Sequence, residues 1–111
     1  MSGSEEYLFV YGTLLDASLR QWIFGRVPPD RADRLPGYEK LERSVADAYP
    51  EVRSCADPGA GVDGLCLELS AAELARADAY ETSLYYREKR ELASGTSAWV
   101  YLAAAGKSPG E

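Results

Sequence analysis

The chain contains no histidine at all, and that absence removes a large share of enzyme chemistry. Neither a Ser-His-Asp nor a Cys-His relay can be assembled from it. Cysteine is also scarce. Only Cys55 and Cys66 could offer thiolates, and no CxxC or HExxH spacing exists, so a zinc site lacks its donors. The expectation is a site without metal and without cofactor. The two cysteines read as small hydrophobes in a reducing compartment, with a disulfide between them as the alternative. Basic residues are outnumbered, twelve against eighteen acids for a formal charge of −6. Such a field repels nucleic acid and anionic membrane surfaces. A small anionic substrate stays open if backbone N–H groups or one placed Arg meets its charge. No apolar run approaches the roughly 20 residues of a membrane-spanning helix. The opening Met1 to Glu6 is polar and acidic, without the pattern of a signal or transit peptide. A cytoplasmic protein is expected, as a monomer or weak homodimer. Proton chemistry is left to carboxylate, tyrosine and lysine.

What is present suits one domain over residues 1–111, with 1–5 and 106–111 as frayed ends. Tyr7 to Tyr11 is apolar on both faces and stops at Gly12, the pattern of a central buried strand. A short helix follows, with Ser18 and Gln21 as a capping box, Leu19, Trp22 and Ile23 on one face, and Gly25 at the C-cap. Weak strands are expected on either side of the Pro36-Gly37 turn, within Arg31 to Arg43. Tyr49-Pro50 and Asp57 to Gly61 read as loops. Val62 to Leu69 is a strand with Leu65, Leu67 and Leu69 on one face. Ser70 and Glu73 form a second capping box, with Leu69 and Leu74 as its hydrophobic staple, so a helix starts at Ala71. Tyr85 to Leu92 and Ala98 to Leu102 read as strands joined at Ser94-Gly95. Strand-rich order with two short helices implies an α+β fold, a small mixed β-barrel with flanking short helices.

Two places could carry chemistry. On the second helix, Leu74, Ala77, Asp78 and Glu81 share a face. The apolar pair should carry both acids toward the core, at the negative end of the helix dipole. Burial and mutual repulsion there raise at least one pKa, which suits a group that takes and returns a proton near neutrality. The same acids could instead be solvated, or paired with Arg76 or Arg87. The second place is the turn Tyr11-Gly12-Thr13-Leu14, whose backbone can approach a ligand and present successive N–H groups to an anion. By themselves these residues favour a purely structural turn, since many strands end in one. Tyr80, Tyr85 and Tyr86 flank Glu81 as possible hydroxyl donors, or as packing residues.

Taken in order, these segments resemble one family. Leu8 to Leu14 is similar to the F-V-Y-G-T-L signature that opens γ-glutamylcyclotransferase-like proteins. Leu35-Pro36-Gly37-Tyr38, Tyr49-Pro50, Val62-Asp63-Gly64, Asp78-Ala79-Tyr80-Glu81 and Tyr85-Tyr86-Arg87 resemble its later L-P-G-Y, Y-P, V-x-G, D-x-Y-E and Y-x-R features. The resemblance implies a compact β-barrel with flanking helices. It implies Glu81 as catalytic acid/base, with Tyr11, Gly12, Thr13, Leu14 and Tyr86 binding substrate. The implied activity is cyclisation of a γ-glutamyl amine or amino acid, releasing 5-oxoproline and the free amine. Alternatives on the same scaffold are γ-glutamyl release from an isopeptide or a biosynthetic intermediate, and a non-catalytic small-molecule binding module. Two positions depart from the pattern: Thr82 stands where the family often has Gly, and Ala77 where it usually has Leu.

Overall fold

The computed structural model describes residues 6–45 and 49–104; the expected frayed ends lie outside them. The run from Tyr7 to Tyr11 does form the middle of the sheet. Strand β1 (Glu6–Val10) pairs antiparallel with β5 (Gly61–Leu69), Leu8 opposite Leu67, and parallel with β7 (Ser97–Ala103), Phe9 opposite Val100. Outside these lie β2 (Asp30–Pro36) on β5 and β6 (Tyr85–Glu91) on β7, giving the order β2-β5-β1-β7-β6. Because neighbouring side chains of β1 point to opposite faces, it feeds two cores. Phe9 faces Leu35, Val52, Val62 and Val100, while Leu8 and Val10 face Leu67, Leu74, Ala77 and Tyr101. The helices cover the second face. A two-stranded ribbon, β3 (Tyr38–Val45) with β4 (Tyr49–Ser54), covers the first through Tyr38 and Val52.

The α+β class holds, but closure into a barrel is not found among the described residues. Neither β2 nor β6 gains a partner on its outer side, and the ribbon pairs only with itself. The sheet curls far enough for the turn after β6 to touch β2. There the Ala93 N–H donates to Arg34 O at 2.8 Å and the Ser94 hydroxyl to Asp33 at 2.6 Å. A turn offers no ladder, so the edges meet without pairing. Tyr49-Pro50, expected as a loop, opens strand β4 instead. The register is irregular between Leu41 and Val45, opposite this point, and a proline is tolerated where the ladder is interrupted.

Helix α1 (Ala17–Phe24) starts earlier than expected. Asp16, not Ser18, is the N-cap, its carboxylate accepting the Ser18 N–H at 2.8 Å. Asp16 is extended after the preceding turn and is as good a cap as Ser. Trp22, expected on the inner face with Leu19 and Ile23, points outward and is 76% exposed, and the buried residues of the helix are Phe24 and Arg20. Gly25 closes the helix with φ 77°, as expected. Both cysteines are free thiols, Cys66 buried in the core and Cys55 half-buried.

Helix α2 (Ala71–Glu81) begins on the expected capping box: the Ser70 hydroxyl accepts the Glu73 N–H, and Glu73 accepts the Ser70 N–H. Glu73 is buried and also takes a two-pronged bond from Arg26, at 2.7 and 2.8 Å. Those bonds hold its carboxyl at about 2, below the ordinary 4.5, with Ser70 assisting against the cost of burial. A carboxyl whose folded pKa lies below its unfolded one stabilises fully above the unfolded value, and less as pH falls toward the folded one. With Arg26 half-exposed, solvent screening leaves only part of that shift as stability. Glu73→Gln should therefore lower the urea midpoint at neutral pH, and its gap from the parent should close between about pH 5 and pH 2. A gap that stays constant down to acid would contradict this.

Candidate active site

Helix α2 and the chain after β1 converge on one cavity of about 220 Å³. Its lining includes Gly12, Thr13 and Leu14 from the loop, Tyr80, Glu81 and Thr82 from the end of α2, and Tyr85 and Tyr101 from β6 and β7. Two separate sequence signals thus meet in space. Tyr11 is in the wall but almost wholly buried, its hydroxyl donating to Tyr101 O at 2.6 Å. Burial pushes its phenol far above the usual range.

The loop folds as a single 3₁₀ turn over Thr13–Leu15, in which the Leu15 N–H donates to Gly12 O and the Asp16 N–H to Thr13 O. The N–H groups of Gly12, Thr13 and Leu14 take no partner from the described residues. A Cβ at Gly12 would lie 3.0 Å from the Pro50 ring, so a side chain there would press on the cavity wall. Arg20, 4% exposed, fixes the turn from behind. One guanidinium nitrogen donates to both Leu14 O and Leu15 O at 2.9 Å, and the other reaches Asp30 at 3.1 Å. The Thr13 and Tyr80 hydroxyls are bonded to each other at 2.9 Å, tying the loop to α2.

Glu81 is the last residue of α2 and half-buried. No hydrogen bond or ion pair from the described residues reaches its carboxylate. Burial, with the Asp78 charge as a smaller cause, lifts its pKa from 4.5 to about 7. Asp78, one turn earlier, moves the other way. Arg87 on β6 grips it with two bonds of 2.7 and 2.9 Å, and the Tyr101 hydroxyl donates to it at 2.6 Å. The Arg87 bonds outweigh burial and hold Asp78 below the ordinary carboxylate range. Of the two acids that share the helix face, one is therefore a fixed anion and the other titrates near neutrality.

Tyr86 does not belong to this cavity. It packs against the core beneath the ribbon, while Tyr85 lines the site. Consecutive strand residues point to opposite faces, so only one of the pair could enter. Tyr101 and Pro50 also line the site; Pro50 belongs to the Tyr49-Pro50 feature of the resemblance, whereas nothing in the sequence marks Tyr101. Tyr101 sits in an apolar strand whose pattern reads simply as core. The Tyr85 hydroxyl donates to Pro50 O at 2.7 Å, which closes the wall.

Thr82 is an exposed residue with φ 61° and ψ −162°, a conformation essentially reserved for glycine. Its hydroxyl compensates in part, donating to Glu81 O at 2.5 Å and accepting the Leu84 N–H at 3.3 Å. Thr82→Gly relieves strain of about 1–3 kcal/mol and adds chain entropy of about 0.5–1 kcal/mol to the unfolded state. A net stabilisation near 1 kcal/mol should appear as a higher melting temperature. Thr82→Ala keeps the backbone angle and loses the hydroxyl bonds, so it should melt below the parent. If Thr82→Gly also melts lower, the hydroxyl bonds outweigh the strain.

Residues 8–111 match the family described as gamma-glutamyl cyclotransferase, AIG2-like. An Arabidopsis thaliana protein solved in solution superposes with a TM-score of 0.81 at 22% identity, over 98% of this chain and 75% of its own. A uropathogenic E. coli-specific protein superposes at 0.69 with 26% identity, over 90% of this chain and 80% of its own. A protein named gamma-glutamyl cyclotransferase superposes at 0.73 with 14% identity, over 90% of this chain and 67% of its own. That last likeness is one of fold. No curated protein matches the sequence.

Proposed function

The chain belongs to the AIG2-like gamma-glutamyl cyclotransferase family, and on that footing we propose that it cyclises a γ-glutamyl amine or amino acid to 5-oxoproline, releasing the amine. One observation carries this reading: a half-buried carboxylate and three backbone N–H groups, none of which takes a partner among the described residues, share a cavity. The substrate's α-carboxylate docks on the N–H groups of Gly12, Thr13 and Leu14. These meet its charge in a protein whose net charge is −6. Glu81 removes a proton from the α-ammonium, since only the neutral amine is a nucleophile. The amine nitrogen then bonds to the γ-carbonyl carbon of the same molecule. When the tetrahedral intermediate collapses, the bond to the leaving nitrogen breaks as Glu81 returns its proton there. The ring nitrogen passes its second proton through the regenerated Glu81 carboxylate to the departing amine, which leaves as an ammonium.

No enzyme nucleophile is required, in keeping with a chain without histidine. Holding the substrate folded in the cavity is worth up to about 7–11 kcal/mol. A carboxyl raised to about 7 serves these transfers, because it neither holds its proton too tightly nor releases it too readily.

Glu81→Gln keeps the shape and should lower 5-oxoproline release by at least about a hundredfold. Thr13→Ala should cost far less, because the proposed contacts there are main-chain. The base form of Glu81 is the active one, so kcat/KM should fall as pH drops through about 7. Asp78→Asn removes the neighbouring charge that helps raise Glu81, so the acid limb should move to lower pH. Mass spectrometry over a panel of γ-glutamyl amides and a pH–rate profile check both. Unchanged release by Glu81→Gln would end the assignment of Glu81 as the base.

A further inference from the structure

Tyr101 stands on β7 beside Glu81 in the cavity wall, its ring edge-on to Tyr85 at 6.5 Å. Its hydroxyl lies 2.6 Å from Asp78 Oδ1. The direction of that bond is fixed by what surrounds it. Asp78 carries a two-pronged Arg87 bond and is therefore an anion, which can only accept. The proton of Tyr101 is thus committed to Asp78. What the phenol oxygen still offers is lone pairs, and no donor among the described residues occupies them. Tyr80 shares a hydrogen bond with Thr13 in which either hydroxyl can donate, whereas Tyr11 spends its proton on Tyr101 O and Tyr85 on Pro50 O. Both of these last acceptors are carbonyls, so there the hydroxyl must be the donor.

Beside Glu81 the Tyr101 oxygen therefore accepts hydrogen bonds, whereas the backbone N–H groups of Gly12, Thr13 and Leu14 donate them. A carboxylate placed against Tyr101 would meet lone pairs and two nearby acids. An ammonium there would find an acceptor in the Tyr101 oxygen and a carboxylate in Glu81. Building on the function proposed above, we propose that the Tyr101 hydroxyl oxygen accepts a hydrogen bond from the substrate's α-ammonium and orients it toward Glu81. Arg87 and Asp78 act behind it, keeping the hydroxyl proton turned away from the substrate. As Glu81 takes one ammonium proton, a second N–H stays on Tyr101. The freed lone pair is then directed at the γ-carbon, and the site selects an α-amino group over a hydrogen in its place.

The test compares Tyr101→Phe with the parent on two ligands. One is γ-glutamyl methylamide. The other is glutaric acid monomethylamide, which lacks the α-amine, cannot cyclise and serves as a competitive inhibitor. Losing a hydrogen bond to a charged group should raise KM for the amine-bearing compound about tenfold. The inhibition constant of the des-amino compound should stay within about twofold. A merely structural role for Tyr101 would weaken both ligands together, and that result would overturn the proposal. So would unchanged binding and turnover of the γ-glutamyl compound. The underlying function fails separately: a parent that forms no 5-oxoproline and binds neither ligand removes both readings, whereas an active parent with an indifferent Tyr101→Phe removes only this one.

Discussion

The pairing of Arg87 with Asp78 decides the character of the site. Two carboxylates leave the same face of α2, one turn apart, and Arg87 is committed to the first with both prongs of its guanidinium. Arg87 also lies over the Trp99 ring, 4.3 Å from its centre, and the Trp99 N–H is held by Glu6 at 3.0 Å. A cation fixed from several sides cannot swing to Glu81. Glu81 is thus left beside a fixed anion in a partly dry cavity, where its own charge is disfavoured. Were the two acids to exchange partners, the carboxyl that lines the cavity would be a low-pKa ion with nothing to shuttle.

The sheet supplies the other half of the geometry. Strand β1 is flanked on both sides and buried on both faces, so the point where it ends is fixed. Gly12 to Leu14 begin at that point, and the buried Arg20 holds the end of the turn by Leu14 O and Leu15 O, while the N–H groups of Gly12, Thr13 and Leu14 take no partner among the described residues. Using a charged side chain to anchor two carbonyls is costly in a core, because the Arg20 Nε is buried without a partner. The expense is consistent with a loop whose exact path matters more than the stability it yields. Both cavity walls are therefore built on rigid elements, which is what positioning within fractions of an ångström requires.

Much of this was legible from the residues alone, where local signals and tertiary context agree. The Ser70–Glu73 box starts α2 at Ala71, the apolar run to Tyr11 is central, and Gly25 ends α1. Glu81 and the Gly12 turn were both visible as candidates, and the cavity joins them. Other features depended on contacts that no local pattern encodes. Asp16 outcompeted Ser18 as a cap because the preceding turn delivers it extended. Tyr86 and Tyr85 are indistinguishable by spacing, and the register of β6 on β7 alone decides which enters the cavity. The same register brings Tyr101 to Asp78, across most of a helix and two strands. The barrel stayed open because the β3–β4 ribbon packs on a face of the sheet where closure needed an edge.

The proposed proton transfer depends on a desolvated carboxylate that no described residue pairs with. A carbon-detected NMR titration of the glutamate side-chain carboxyls reads that state directly, one residue at a time. Glu81 should titrate with a midpoint near 7, well above an ordinary glutamate, in the protein without any ligand. A Glu81 midpoint near the ordinary 4.5 would mean a solvated or paired carboxylate, and would contradict the account at its root.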